Sequence, residues 1–151
     1  MNEADRGNPS ESWDLVVVGS GAAGLTAACA AAASGCSVLL LEQSNVVGGT
    51  SAISGGMVWM PANRKMAAAG RQDSIEAART YLAQTVPGED RVRLEAYLES
   101  ADQVLHEIEA RTSLRLQPVM NYPDYYPDLP GATAGGRVLE PVPFDARLLG
   151  P

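Results

Sequence analysis

An α/β fold built on a parallel sheet is what this sequence predicts, from three observations taken together. A short β-branched apolar run, Leu15 to Val18, leads straight into Gly19, Gly21 and Gly24 at G-x-G-x-x-G spacing. A stretch of small residues, Ala22 to Ala33, suits a helix whose first turn starts inside that glycine loop. A second apolar run, Val38 to Leu41, ends on Glu42, 18 residues past Gly24. Strand, glycine turn, helix, strand and acid in this order describe a Rossmann-like βαβ half that binds an adenine dinucleotide.

Each element has a physical reason. Residues 1–12, MNEADRGNPSES, are polar and acidic without a basic or apolar leader region, so they are expected to be a disordered lead-in rather than a signal peptide. Leu15–Val18 reads as a buried parallel strand. Gly19 permits the tight turn out of it, Gly21 admits the backbone to a pyrophosphate, and Gly24 lets the helix close on the sheet. The helix N-terminus offers unpaired N–H groups and partial positive charge to phosphate. Gly19, Ser20, Gly21, Ala22, Ala23 and Gly24 are therefore the expected pyrophosphate loop. Gly35 stands where a helix C-cap is expected. Glu42 can accept both ribose hydroxyls of an adenosine and disfavours a 2′-phosphate, so NADP is not expected.

After Glu42 and Gln43, the Gly48-Gly49-Thr50-Ser51 and Ser54-Gly55-Gly56 turns lie a few residues apart. Exposed backbone N–H groups in such turns suit anionic oxygens and the polar edge of a flat ring. Apolar Met57 to Met60 follow at once, which a flexible surface linker would not need. Pro61 to Gly70 reads as a short helix stopped by Gly70. Asp73 or Ser74 is an N-cap candidate, and Glu76 completes a capping box with Asp73 for a helix to about Gln84, before a Pro87-Gly88 turn. Asp90 opens a longer amphipathic helix with Leu94, Tyr97, Leu98, Ala101, Val104, Leu105 and Ile108 on one face. His106, the only histidine, falls near the edge of that stripe and is expected to face solvent or bond locally. From Leu114 the alternation predicts a strand. The Tyr-, Pro- and Gly-rich stretch NYPDYYPDLPGATAGGRVLEPVPF then predicts an ordered, non-regular loop.

Composition narrows the function classes. The net charge of −7 argues against nucleic acid and anionic membrane as partners. A length of 151 residues is about one domain, and 46% hydrophobic with 19% charged residues is ordinary for a soluble one. The Ala27–Ala33 run is too short to span a bilayer, so no transmembrane segment is expected. Cys29 and Cys36 form neither a CxxC motif nor a Cys/His cluster; both are expected to be buried reduced thiols, with no metal and a cytoplasmic location.

The segments WDLVVVGSGAAG, LLLEQ, GGTSAISGGMVWMPANRKMAAAG, SIEAARTYL and YPDYYPDLPGATAGGRVLEPVPFDARLLG resemble the 3-ketosteroid Δ1-dehydrogenases. These sit within the wider FAD-dependent fumarate reductase and succinate dehydrogenase flavoprotein superfamily. The early motifs are shared across that superfamily, whereas PDYYP and GGR-x-LEP-x-PF are closer to the ketosteroid branch. The resemblance implies FAD in an extended conformation, held by the glycine loop, by Glu42 and Gln43, and by Gly48 to Ser51 and Ser54 to Gly56. It implies a 3-ketosteroid substrate that loses a proton from carbon 2 and a hydride from carbon 1, with a separate electron acceptor for the reduced flavin. It places the first tyrosine of the PDYY motif, Tyr125, in the active site beside a base tyrosine, with Tyr126 as its neighbour against substrate.

Members of the resembled family are several times longer than this chain. The resemblance therefore implies an N-terminal piece, inactive alone, whose base and carbonyl-polarising groups lie downstream. Residues 13–112 would be the first part of the FAD-binding domain with a helical insertion, and 113–151 the start of the catalytic region. Two other readings remain: a fumarate-reductase-like or other enoate oxidoreductase built on the same FAD half, and a non-catalytic nucleotide-binding fragment.

Overall fold

The computed structural model describes residues 12–86, 88, 90–143 and 145–150. The expected lead-in thus lies, apart from Ser12, outside the described residues, as does Pro87 of the expected turn. The chain divides into two compact units that meet in sequence between Ser54 and Gly55.

In the first unit, β1 (Leu15–Val18), α1 (Ala22–Ala33) and β2 (Val38–Leu41) fall on the segments the sequence pattern predicts. The strands pair in parallel, Leu15 opposite Val38 and Val18 opposite Leu41. Asp14 fixes their common start, its Oδ2 accepting from the Ser37 N–H at 2.8 Å and the Ser37 hydroxyl at 2.7 Å. The end of α1 is a Schellman closure: the Gly35 N–H returns to the Ala32 carbonyl (3.0 Å) and the Cys36 N–H to that of Ala31 (3.1 Å).

Three expectations for this unit need correction. β1 is not buried, with Val18 82% exposed. Cys29 and Cys36 are both exposed free thiols, not core residues. One Ala-rich helix on a two-stranded sheet covers too little area to bury either element. Finally, Gly49–Ile53 winds into a 3₁₀ helix rather than an open turn, starting from Gly48 in a left-handed conformation.

The second unit contains β3 (Val58–Trp59), α2 (Arg64–Ala68), α3 (Ile75–Thr85), α4 (Arg91–Arg111), β4 (Leu116–Pro118) and β5 (Val138–Pro141). Its antiparallel sheet has β5 in the middle, with Leu139 opposite both Val58 and Pro118. Met60, Leu105, Leu116 and Leu139 form one core cluster, and Ala78, Tyr81, Leu82 and Leu98 another. Each helix is capped by a side chain: Asn63 accepts from the Met66 N–H, Ser74 from that of Ala77, and Asp90 from that of Arg93.

Here the periodicity of α4 is matched by burial of Leu98, Ala101 and Leu105, while His106 is exposed. The expected helix from Pro61 is shorter, because Asn63 caps it only at Arg64. Ser74, not Asp73, caps α3, so no capping box forms, and Glu76 pairs with Arg79 at 2.5 Å. The Gly-Gly-rich stretch expected as loop contains β5, since β3 and β4 supply hydrogen-bonding partners on both of its edges. Among the described residues no helix is long and apolar enough to cross a membrane.

Candidate functional site

The glycine loop of the first unit owes its shape to two different steric demands. Gly19 sits at φ +95°, in the left-handed region that a side chain disfavours. Gly24 is helical, but a Cβ there would lie 1.8 Å from the Gly19 carbonyl oxygen. At Gly21, by contrast, a Cβ would meet nothing nearer than Ser51 Oγ at 3.7 Å. Protein packing leaves that space open, and a ligand approaching the backbone is what it suits. A cleft of about 480 Å³ lies there, lined by Val18, Gly19, Ser20, Gly21, Leu41, Glu42, Gln43 and Gly49.

Glu42 at the end of β2 is held into the loop. Its Oε2 accepts from the Ser20 N–H (2.9 Å) and hydroxyl (2.5 Å), and its Oε1 from the Ser44 N–H (2.9 Å). Ser20 is fully buried and its Oγ accepts from the Gly48 N–H at 2.9 Å, so loop, acid and the start of the 3₁₀ helix form one network. The Ser20 hydroxyl, then the Ser44 and Ser20 backbone N–H groups, lower the Glu42 carboxyl to about 2. Glu42 stays an anion throughout the physiological range. Ser51 Oγ accepts from the Ala22 N–H at 3.0 Å, at the first turn of α1.

Of the expected cofactor residues, Gly19, Ser20, Gly21, Glu42, Gln43 and Gly49 line one cleft. Gly48 bonds to its wall at Ser20, and Ser51 to Ala22 at the start of α1. Ala22, Ala23 and Gly24 begin α1 behind the loop, and Thr50 is exposed on the 3₁₀ helix. The Ser54 hydroxyl donates to the Ser51 carbonyl (2.8 Å). Gly55 and Gly56 belong to the second unit, where a Gly56 Cβ would lie 2.9 Å from Pro141 Cγ. The chemistry of this donor set, backbone N–H groups around a carboxylate, fits an adenine dinucleotide such as FAD. Glu42→Gln is expected to weaken FAD binding at pH 7 about tenfold, by loss of one charge-assisted acceptor for the ribose. Wild-type affinity should be flat from pH 8 to pH 4, because the acid is already ionised; titration of flavin fluorescence checks both.

The second unit holds an apolar cleft of about 490 Å³ walled by Met57, Val58, Trp59, Tyr81, Leu82, Thr85, Tyr122, Pro123, Asp124, Tyr125, Tyr126 and Val138. Tyr125 and Tyr126, the expected active-site pair, stand at it with 85% and 59% exposure. Sequence reasoning missed Tyr122, which also lines the cleft and whose phenol is pushed up by its interaction with the Tyr125 phenol. The i, i+3 spacing of two tyrosines across Pro123 was the available signal.

Also missed was the buried ion cluster beneath the cleft. Arg137, 1% exposed, donates through Nε and Nη2 to Asp73 (2.9 and 2.7 Å) and through Nη1 to Asp124 (2.8 Å). Asp124 Oδ1 accepts from Trp59 Nε1 at 2.6 Å, and Oδ2 also accepts from the Thr133 N–H at 2.9 Å. The guanidinium lies 5.3 Å from the Trp59 ring centroid and 5.9 Å from that of Tyr81, and those two rings stack at 6.2 Å. Tyr97, which donates to the Trp59 carbonyl, is pushed up to about 12 by burial and is no acid–base candidate at neutral pH.

Comparison with known proteins gives a consistent picture. Residues 14–151 match the family model described as FAD binding domain. The chain is 46% identical over 142 residues to a 3-oxosteroid 1-dehydrogenase of Mycobacterium tuberculosis, covering 93% of this chain and 25% of the relative. It is 44% identical to a 4-oxocyclohexanecarboxylate 2-dehydrogenase of Sinomonas cyclohexanicum, covering 89% and 24%. The crystal structure of 3-ketosteroid delta1-dehydrogenase from Sterolibacterium denitrificans, in complex with 1,4-androstadiene-3,17-dione, superposes with a TM-score of 0.81 at 50% identity, over 91% of this chain and 24% of that one. The chain thus spans about a quarter of the length of the curated relatives it matches.

Proposed function

The chain belongs to the family of FAD binding domains, and from that premise we propose that it forms the FAD-binding and substrate-loop part of a 3-ketosteroid Δ1-dehydrogenase. The observation that carries this reading is the apolar cleft, walled by Tyr125 and Tyr126 of the PDYY motif and by Tyr122 just before it. FAD, when bound, supplies the hydride acceptor. Gly19 to Gly24 and Gly48 to Ser51 would hold its pyrophosphate, Glu42 and Gln43 its adenosine, and Ser54 to Gly56 would offer it further backbone N–H groups. The apolar walls exclude water from a flat polycyclic ketone, and Tyr125 and Tyr126 contact it. Tyr125 orients and supports the group that takes the carbon-2 proton.

In functional terms residues 13–112 are the cofactor part with its helical excursion and 113–151 the start of the substrate part. Trp59 and Tyr81 from the former and Tyr122 to Tyr126 from the latter wall one cleft. A separate acceptor must reoxidise the reduced flavin. The exposed free thiols Cys29 and Cys36 suit a reducing cytoplasm.

In the full-length, FAD-loaded protein, Tyr125→Phe is expected to lower turnover of a 3-ketosteroid with an artificial acceptor by about 100-fold. Its FAD content should not change. Unchanged turnover removes Tyr125 from the site, and fumarate reduction without steroid oxidation replaces the steroid reading with the enoate one. A protein that stays colourless after FAD is added points to the non-catalytic reading. The Sinomonas relative favours a second substrate class, a monocyclic oxo-carboxylate. The cleft walls of this chain, mostly apolar and aromatic, suit the hydrocarbon faces of a steroid.

A further inference from the structure

We infer that Asp124, held by Arg137, is a positioning residue that sets where Tyr125 stands in the cleft. The kinetic part of this inference rests on the steroid reading; the clamp itself does not.

Tyr125 has a flexible-looking address, an exposed side chain in a Pro-rich loop, yet its backbone is tied down on both sides. Asp124, the residue before it, is 4% exposed and its carboxylate joins three segments: Arg137 beside β5, the Trp59 indole on β3, and the Thr133 N–H across the loop. The Asp124 N–H also donates to the Thr133 carbonyl at 3.1 Å. Tyr126, the residue after it, donates its N–H to the Tyr81 hydroxyl at 3.2 Å. Tyr81 stacks on Trp59, and Trp59 is the indole that Asp124 holds. Both brackets therefore close on one buried aromatic and ionic cluster, and both Trp59 and Tyr81 are walls of the cleft that Tyr125 faces.

A buried ion pair is weak evidence of stabilisation, since desolvation offsets much of its attraction, but it fixes geometry well. Here the fixed geometry is the spacing between the cleft wall and the phenol that borders it. Misplacing a reacting group by about 1 Å can cost about 100-fold in rate, so a clamp on the peptide adjoining Tyr125 acts on turnover through Tyr125.

The test is a double-variant comparison in the full-length, FAD-loaded protein. Asp124→Asn preserves shape but turns one acceptor oxygen into a donor, which cannot serve Trp59 and Arg137 together. It is expected to lower kcat by about 30-fold with KM within about threefold. In a Tyr125→Phe background the same change should lower kcat by less than about twofold, because the group it positions is gone. Equal loss in both backgrounds shows a general structural role and overturns the inference. Where Asp124→Asn does not fold, Trp59→Phe, which removes the indole N–H and keeps an aromatic ring, carries the same comparison. Hydrogen exchange of the Trp59 indole N–H reads the clamp without any turnover: it should quicken at least about tenfold in Asp124→Asn. An unchanged rate overturns the inference even where steroid turnover is confirmed. Absence of steroid turnover in the wild type overturns the substrate reading and the kinetic claim, leaving the clamp to stand or fall on the exchange rate.

Discussion

Arg137→Met is expected to destabilise the second unit by about 3–5 kcal/mol, the range for breaking one side of a buried ion pair. Methionine roughly fills the volume but leaves Asp73 and Asp124, whose side chains are 2% and 1% exposed, facing each other's charge without a cation. It also removes the cation above Trp59 and Tyr81. Denaturant unfolding of the full-length protein, followed by tryptophan emission, measures the loss. A drop below about 1 kcal/mol would mean that the cluster is solvated in solution.

The pH dependence gives the same prediction a second handle. In the wild type, burial would raise the Asp73 carboxyl. The hydrogen bonds from Arg137 and from the Ala62 N–H outweigh it and hold the group below the usual aspartate value of 3.8. Its contribution to stability is therefore complete above that value and is lost as pH falls through the lower folded one. Without Arg137 the sign reverses. With the cation gone, burial prevails at Asp73 and raises its carboxyl, so it takes up a proton on folding as the solution is acidified. The gap between variant and wild type should narrow between pH 7 and pH 4. A gap that widens over that window contradicts the account.

These same residues show where sequence stops being informative. β1, α1 and β2 were legible to the residue because local period, glycine punctuation and the Gly35 cap all point one way. Their burial was not, since it depends on layers beyond the βαβ unit itself. The α3 capping box failed for a non-local reason: Asp73 is drawn to an arginine 64 positions away, and Ser74 takes over the cap. β5 was hidden because Gly-Gly and two prolines mask a strand that exists only through its partners on both edges. Gly19, Ser20, Gly21, Glu42, Gln43 and Gly49, expected together from the sequence, do line one cleft, because local turns at the ends of β1 and β2 bring them there. The tyrosine cleft was legible only where the motif lay, while Trp59, Tyr81 and Arg137 entered through the tertiary fold.

Gly24→Ala and Gly21→Ala should separate what the glycine loop needs for folding from what it needs for FAD. By helix propensity alone, alanine at position 24 would favour α1 by about 1 kcal/mol. The opposite is expected, because its Cβ would sit 1.8 Å from the Gly19 carbonyl oxygen, a backbone atom that cannot rotate away. The helix must lift off the loop, so the apoprotein should lose thermal stability and FAD affinity should fall by about 100-fold, or about 2.7 kcal/mol. At position 21 the nearest atom to a new Cβ is Ser51 Oγ at 3.7 Å, and φ is −66°, which alanine adopts freely. Apoprotein stability should therefore stay within about 1 kcal/mol of wild type, the usual penalty for alanine at an N-cap, while FAD binding is lost to a similar extent. Melting of the apoproteins and titration with FAD measure the two quantities independently. If Gly21→Ala bound FAD as the wild type does, the pyrophosphate would have to lie elsewhere, and the open space above Gly21 would have no ligand to explain it.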